Sequence, residues 1–290
     1  LAMIINSFLG ITDFWFLSKI SKEYMSVVGI AYIPFSFISS LIVGVGIEAN
    51  RATAKGNPIN FRRILILVLS LSSLMAIISH SFSAYLLFFS WNNPLYTEIK
   101  TYFSIICYSL IPTSVLYICT GILRGKGLSH KTIKFSLLAV ISNFILDYLF
   151  IKTNFNFFKS PLIGCAVATV ISDCSVALIY IIYFIKMGFA DADEMNLHRF
   201  INNAFTNSME KFFSVSTIQV VSNIFLANIN VIYSAVYFGL DRFFSPIMLF
   251  SYSFFEWILY SKSKHIHTDK NIYFSYFGLL IIYDLFLIRF

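Results

Sequence analysis

Long apolar runs alternate with short polar connections along the whole of this chain. A membrane-spanning helix needs about 20 predominantly apolar residues, and that rule predicts nine segments. They are Leu1 to Leu17, Tyr24 to Ala49, Ile64 to Trp91, Ile99 to Leu123, Ile133 to Ile151, Leu162 to Met187, Ala204 to Ala227, Ile229 to Tyr260 and Ile272 to Phe290. The pattern is that of an all-α polytopic membrane protein. The longest polar interruption, Gly188 to Asn203, separates six predicted helices from three. It divides the chain into a six-helix lobe (1–187), a cytoplasmic linker (188–203) and a partial second lobe (204–290).

Polar residues inside the apolar runs change the picture most. Asn143 and Asp147 are four residues apart in the fifth run, so they stack on one helix face. Ionisable groups at membrane depth are costly; they face protein-lined or watery cavities and mark ion or proton pathways. The plainer alternative places the pair at a helix end in contact with water, because Lys152 and Asn154 follow closely. Two readings are likewise open for Asp173 on the sixth run, which could line a cavity or pair locally. Glu48 and Arg51 are spaced i,i+3, as a local ion pair at the membrane edge would be.

Composition fixes the solvent. The chain is 58% hydrophobic and only 12% charged, with a mean hydropathy of +0.78, which excludes a soluble globular domain. The net charge of +7 resides in short clusters between apolar runs, so it speaks against a nucleic-acid partner and for loops on one side of a bilayer. Those clusters are Arg51, Lys55, Arg62 and Arg63; then Arg124, Lys126, Lys131 and Lys134; then Lys262, Lys264 and Lys270. All three fall on connections of even parity, which places those connections and the N-terminus in the cytoplasm. The four cysteines, Cys107, Cys119, Cys165 and Cys174, lie within apolar segments without metal-ligand spacing and read as small core residues. Both ends of the chain fall inside hydrophobic runs, so it is expected to be part of a longer protein or a truncated one.

Several motifs recur in a telling order. Asp13 lies late in the first run; Gly29-Ile-Ala31 opens the second, and Gly44-Val-Gly46 leads it into a basic loop. Then come Gly121-Ile-Leu-Arg124-Gly125-Lys-Gly127, Asn143-Phe-Ile-Leu-Asp147 and Gly164-Cys-Ala166-Val-Ala168-Thr169. As a set, over roughly Asn6 to Met187, these residues resemble the multidrug and toxic compound extrusion (MATE) family of secondary transporters. The resemblance implies a six-helix N-terminal lobe followed by the start of a second lobe. It implies export of organic cations or drugs in exchange for H⁺ or Na⁺, with no cofactor beyond the coupling ion. It places Asp13, Asn143, Asp147 and Thr169 around a coupling cation, which could be Na⁺, and Glu210 at an acidic position of the second lobe; Asp173, from its place in the sixth run, is the remaining candidate for the cation and substrate cavity. The Gly-x-Pro that commonly opens the family's second lobe is absent here, and Asp241, Arg242 and Glu256 interrupt the pattern further on.

Three rival functions follow from the same residues. A flippase for lipid-linked oligosaccharides has a similar helical build, but pyrophosphate recognition calls for Arg and Lys in the cavity, whereas the intramembrane charge here is acidic. A membrane enzyme needs a catalytic constellation at one interface, and no paired-His or Ser-His-Asp arrangement qualifies, so no enzymatic activity is expected. A non-transporting truncated remnant is the third. The expected partners are a small organic cation, the lipid bilayer of a bacterial inner membrane, and either a second copy of the chain or another chain that supplies the missing helices.

Overall fold

The computed structural model describes residues 2–87, 90, 92–152, 158, 160–188, 195–213, 233 and 236–240. Among these residues the structure is helical, and no strand is present. Helix α1 spans Ala2–Ser18, α2 Lys22–Ala54, α3 Phe61–Ser81, and the single turn α4 Ser83–Leu86. Helix α5 (Tyr96–Ile106) passes through a 3₁₀ turn, Cys107–Ser109, into α6 (Leu110–Gly125). Helix α7 (Ser129–Asp147) ends in a π turn, Tyr148–Lys152, and α8 (Pro161–Lys186) and α9 (Leu197–Lys211) follow. Five of these stretches are long and apolar enough to cross a membrane: Lys22–Ala54, Phe61–Ser81, Tyr96–Gly125, Ser129–Ile151 and Pro161–Lys186. Helix α1, with 17 residues, is slightly shorter.

Local chemistry explains where helices begin and bend. Ser21 caps α2 by accepting from the Glu23 amide, Asn60 caps α3 through Arg63, and Ser160 caps α8 with Pro161 behind it. Pro112 has no N–H to give to the preceding turn, and the chain tightens to 3₁₀ geometry at Cys107–Ser109, just before it. The third run is not one continuous helix as the hydropathy suggested. It stops at Ser81 and resumes for one turn after Phe82.

The connection before α9 is shorter than the sequence reading had it. Residues 197–203, expected to be linker, form the first two turns of a helix, because Asn196 accepts from the Arg199 amide as an N-cap while Phe200 and Ala204 bury on a helical period. Asp191, Asp193 and Glu194 of that connection lie outside the described residues. So does nearly all of the expected second lobe beyond residue 213, with Asp241, Arg242 and Glu256.

Two apolar cores hold the bundle. One, around Leu17, Ile30, Tyr102, Phe103 and Leu162, joins α1, the first half of α2, α5 and the start of α8. The other, around Ile64, Ile118, Tyr180, Phe184 and Phe200, joins the second half of α2 with α3, α6, α8 and α9. Between them the α2 and α6 backbones nearly touch. A Cβ at Gly121 would lie 2.3 Å from the Gly46 carbonyl oxygen, and one at Gly125 would lie 2.5 Å from that of Asn50. Small residues at these positions permit the close crossing. The register, 46 beside 121 and 50 beside 125, makes the two helices parallel. Their basic C-terminal connections therefore emerge at the same end of the bundle.

Candidate cation site

Four polar side chains from three helices converge far from that basic end. Asp13 comes from the last part of α1, Asn143 and Asp147 from the last turns of α7, and Thr169 from α8. Helix α7 starts at the basic end, and Asp147 is 18 residues on, about 27 Å along the axis at 1.5 Å per residue. All four are buried: Asn143 and Asp147 are 0% exposed, Asp13 2% and Thr169 7%.

Asn143 organises the group. One of its amide N–H bonds donates to Asp13 Oδ1 at 2.8 Å and the other to Asp147 Oδ2 at 3.2 Å. Turning the amide over would set its oxygen against two carboxylates, so the network itself fixes the orientation. The Thr169 hydroxyl has one proton and two acceptors in reach, Asp13 Oδ2 at 3.2 Å and the Cys165 carbonyl at 3.1 Å. The carboxylate oxygens of Asp13 and Asp147 and the Cys165 sulfur all lie within 4.8 Å of one another.

Both donors of Asn143 are thus used between the acids, and two acceptors remain. Asn143 Oδ1 and Asp147 Oδ1 are buried with no hydrogen-bond donor among the described residues. Two carboxylates this close and this far from water repel unless something positive lies between them. Oxygen-rich, doubly acidic and short of donors, the group can hold a proton or a hard monovalent cation. A π turn follows Asp147 directly; interruptions of that kind recur at functional sites.

The other predicted residues lie elsewhere. Asp173, one turn beyond Thr169 on α8, is buried and pairs locally: the Ser109 hydroxyl donates to Asp173 Oδ2, and Ser109 contacts Thr113 at 3.3 Å. The 3₁₀ turn ahead of Pro112 is what presents Ser109. Glu210 is exposed on α9, which packs on α2, and shares no bond with the acidic cluster among the described residues.

Two features escaped the sequence reading. Cys165, read there as a core residue, belongs to the cluster; the available signal was its i,i+4 spacing to Thr169. Glu48, 5% exposed, lies 4.0 Å from Arg51 as the spacing predicted, but its closer bonds cross to α9. Asn203 donates to Glu48 Oε1 at 2.8 Å and Asn207 to Oε2 at 3.5 Å. A cavity of about 330 Å³ opens beside this junction, lined by Glu48, Arg51, Lys55, Arg199 and Asn203 among others.

Comparison with known proteins bears on the fold. The MatE family model matches residues 1–149. The chain is similar to the MATE multidrug transporter DinF-BH, solved as a complex, at 19% identity and a TM-score of 0.81, over 98% of this chain and 68% of that one. It is also similar to a multidrug resistance MATE transporter of the MOP superfamily in an outward-facing conformation, at 17% identity and a TM-score of 0.74, over 99% of this chain and 69% of that one. For an inward-facing conformation the values are 19% and 0.70, over 88% and 61%. No curated protein matches the chain by sequence. The chain spans 61% to 69% of the length of these three structures.

Proposed function

The chain belongs to the MatE family, and from that premise we propose that it takes part in cation-coupled export of organic cations or drugs across a membrane. The observation that carries the proposal is the pair of buried carboxylates, Asp13 and Asp147, bridged by one carboxamide, with Asp147 Oδ1 lacking a donor among the described residues. A transporter needs a site whose occupancy changes the relative stability of two conformations, and acids buried on different helices meet that need. Without a cation, like charge pushes α1 away from α7; with one, the helices are drawn together.

The residues fit either coupling ion. A proton would sit on one acid and bond to the other. Sodium would take oxygen ligands from Asp13, Asp147 and Thr169 Oγ1, a hard donor set; with the ion between the acids the Asn143 amide can turn and add its Oδ1. Either supplies the positive charge that permits the acids to approach. Asn143 orients both carboxylates and Thr169 orients Asp13. Asp173, bonded to Ser109, and Glu210, exposed on α9, stand outside the ion's immediate shell in this reading. The multidrug character of the similar structures supports an organic-cation cargo, as does the acidic sign of the buried Asp13 and Asp147 cluster.

The orientation proposed puts the N-terminus and the joined basic ends of α2 and α6 in the cytoplasm of a bacterial inner membrane, and the cation site in the outer half. The chain spans 68% and 69% of the two similar transporters, and the part of their build beyond that share is proposed to come from a second copy or another chain.

The test is efflux of a fluorescent cationic dye from cells expressing the chain, with and without a proton or sodium gradient. Gradient-dependent efflux should be lost in Asp147→Asn. Undiminished, gradient-dependent efflux from that variant would overturn the role of the acid pair. A gradient with no effect on the native chain would overturn coupling itself.

A further inference from the structure

The acid cluster contains a donor that a site for Na⁺ or H⁺ does not require. Cys165 places its sulfur within 4.8 Å of carboxylate oxygens from both Asp13 and Asp147. Its side chain is 0% exposed and points into the cluster from α8, one turn before Thr169. Oxygen donors suit hard cations, whereas a thiolate beside two carboxylates selects borderline and soft divalent ions such as Zn²⁺ and Cd²⁺.

We infer that Asp13, Asp147 and Cys165 form a binding site for a thiophilic divalent metal ion, which occupies the cluster in competition with the coupling cation. Charge permits it: once the thiol is a thiolate, a divalent ion leaves the three ligands at a net −1, the balance a monovalent ion leaves on the two carboxylates alone. Geometry admits it: a tetrahedral zinc holds its ligands roughly 3.5 Å apart, so the three donors need close by little more than about 1 Å. The unmatched Asn143 Oδ1 and Asp147 Oδ1 point to a ligand independently of the cysteine, since both atoms are buried acceptors without a donor among the described residues. The Asn143 amide protons hold both carboxylates, and the Thr169 hydroxyl steadies Asp13, as outer-shell groups do around a metal. Binding converts the thiol to the metal thiolate and sends its proton to water, so metal uptake and proton release are coupled. The inference rests on reading this cluster as a cation site, and it holds whether or not the chain exports dye.

The test uses the purified full chain in detergent, titrated with Cd²⁺, and reads the ultraviolet thiolate-to-cadmium charge-transfer band. One ion per chain should bind through Cys165. The band should disappear in Cys165→Ser and in Cys165→Ala. It should survive when Cys107, Cys119 and Cys174 are all replaced by serine, and it should need at least tenfold more Cd²⁺ in Asp147→Asn. Saturating Na⁺ or lowered pH should shift the titration to higher Cd²⁺. A band of unchanged affinity in monodisperse Cys165→Ser, or none in the native chain, would overturn the site. If dye export fails while Cys165-dependent binding persists, the exporter reading falls and the metal site stands. If Asp147→Asn abolishes export while cadmium ignores Cys165, the reverse holds.

Discussion

Asn143 does more than any other single residue to define the site, because one carboxamide satisfies two acids at once. Removing it in Asn143→Ala leaves two buried carboxylates without those donors. Losing a hydrogen bond to a buried charged group costs about 1–3 kcal/mol, so the melting temperature in detergent should fall measurably. Asp147→Asn should behave differently. It removes the like-charge repulsion while keeping the shape, so its melting temperature should equal or exceed that of the native chain even as coupling is lost. A melting temperature several degrees lower would mean that the two acids are not in conflict. The Asn143 and Asp147 pair was legible in the sequence, because i,i+4 spacing in an apolar run fixes a shared face. Burial at 0% exposure settles the alternative of a solvated helix end, which spacing alone left open. Asp173 was open between two readings, and the structure adds its bond from Ser109, which comes from the 3₁₀ turn ahead of α6.

At the scale of elements, close approach decides which helices can move. The α2 and α6 backbones meet at Gly46 and Gly121, with no room for a side chain. Gly121→Leu should therefore destabilise the bundle by about 1–3 kcal/mol through overpacking, or abolish well-folded protein, as read by thermal unfolding of detergent-solubilised material. The α2–α9 contact has a different character. A Cβ at Gly44 would lie 2.2 Å from the Ala204 carbonyl oxygen, Ser208 donates to the Leu41 carbonyl at 2.7 Å, and Asn203 donates to Glu48. Asn203→Ala removes the shorter of the Glu48 bonds to α9. The expected loss is about 1–2 kcal/mol, at the lower end for a charged acceptor because Asn207 and Arg51 remain nearby. The glycines of both contacts were visible as motifs, but their partners were not. A glycine in sequence says that something comes close, and only the packed helices say what.

At the scale of the whole molecule, the parallel register of α2 and α6 ties topology to charge. Arg51 and Lys55 at the end of one helix and Arg124 and Lys126 at the end of the other emerge together. A membrane-impermeant thiol reagent should therefore label Lys55→Cys and Lys126→Cys from the same side, in a chain whose exposed Cys174 is replaced by serine. Labelling from opposite sides would contradict the helix register, and labelling from outside intact cells would invert the proposed orientation.

Hydropathy alone established the membrane, the helical class and the approximate spans of the described helices, because hydrocarbon admits only segments that satisfy their own backbone. Motif order alone reached the family. Polarity within an apolar run singled out Asn143 and Asp147, and the family resemblance added Asp13 and Thr169. The tertiary structure decided which of those residues meet. It joined α1, α7 and α8 at one point, added Cys165, and sent Asp173 to Ser109 and Glu48 to Asn203. The physical reason is range. Helical spacing is fixed by the backbone over four residues, whereas the bridge from Asn143 to Asp13 spans 130 positions, and only packed helices determine it.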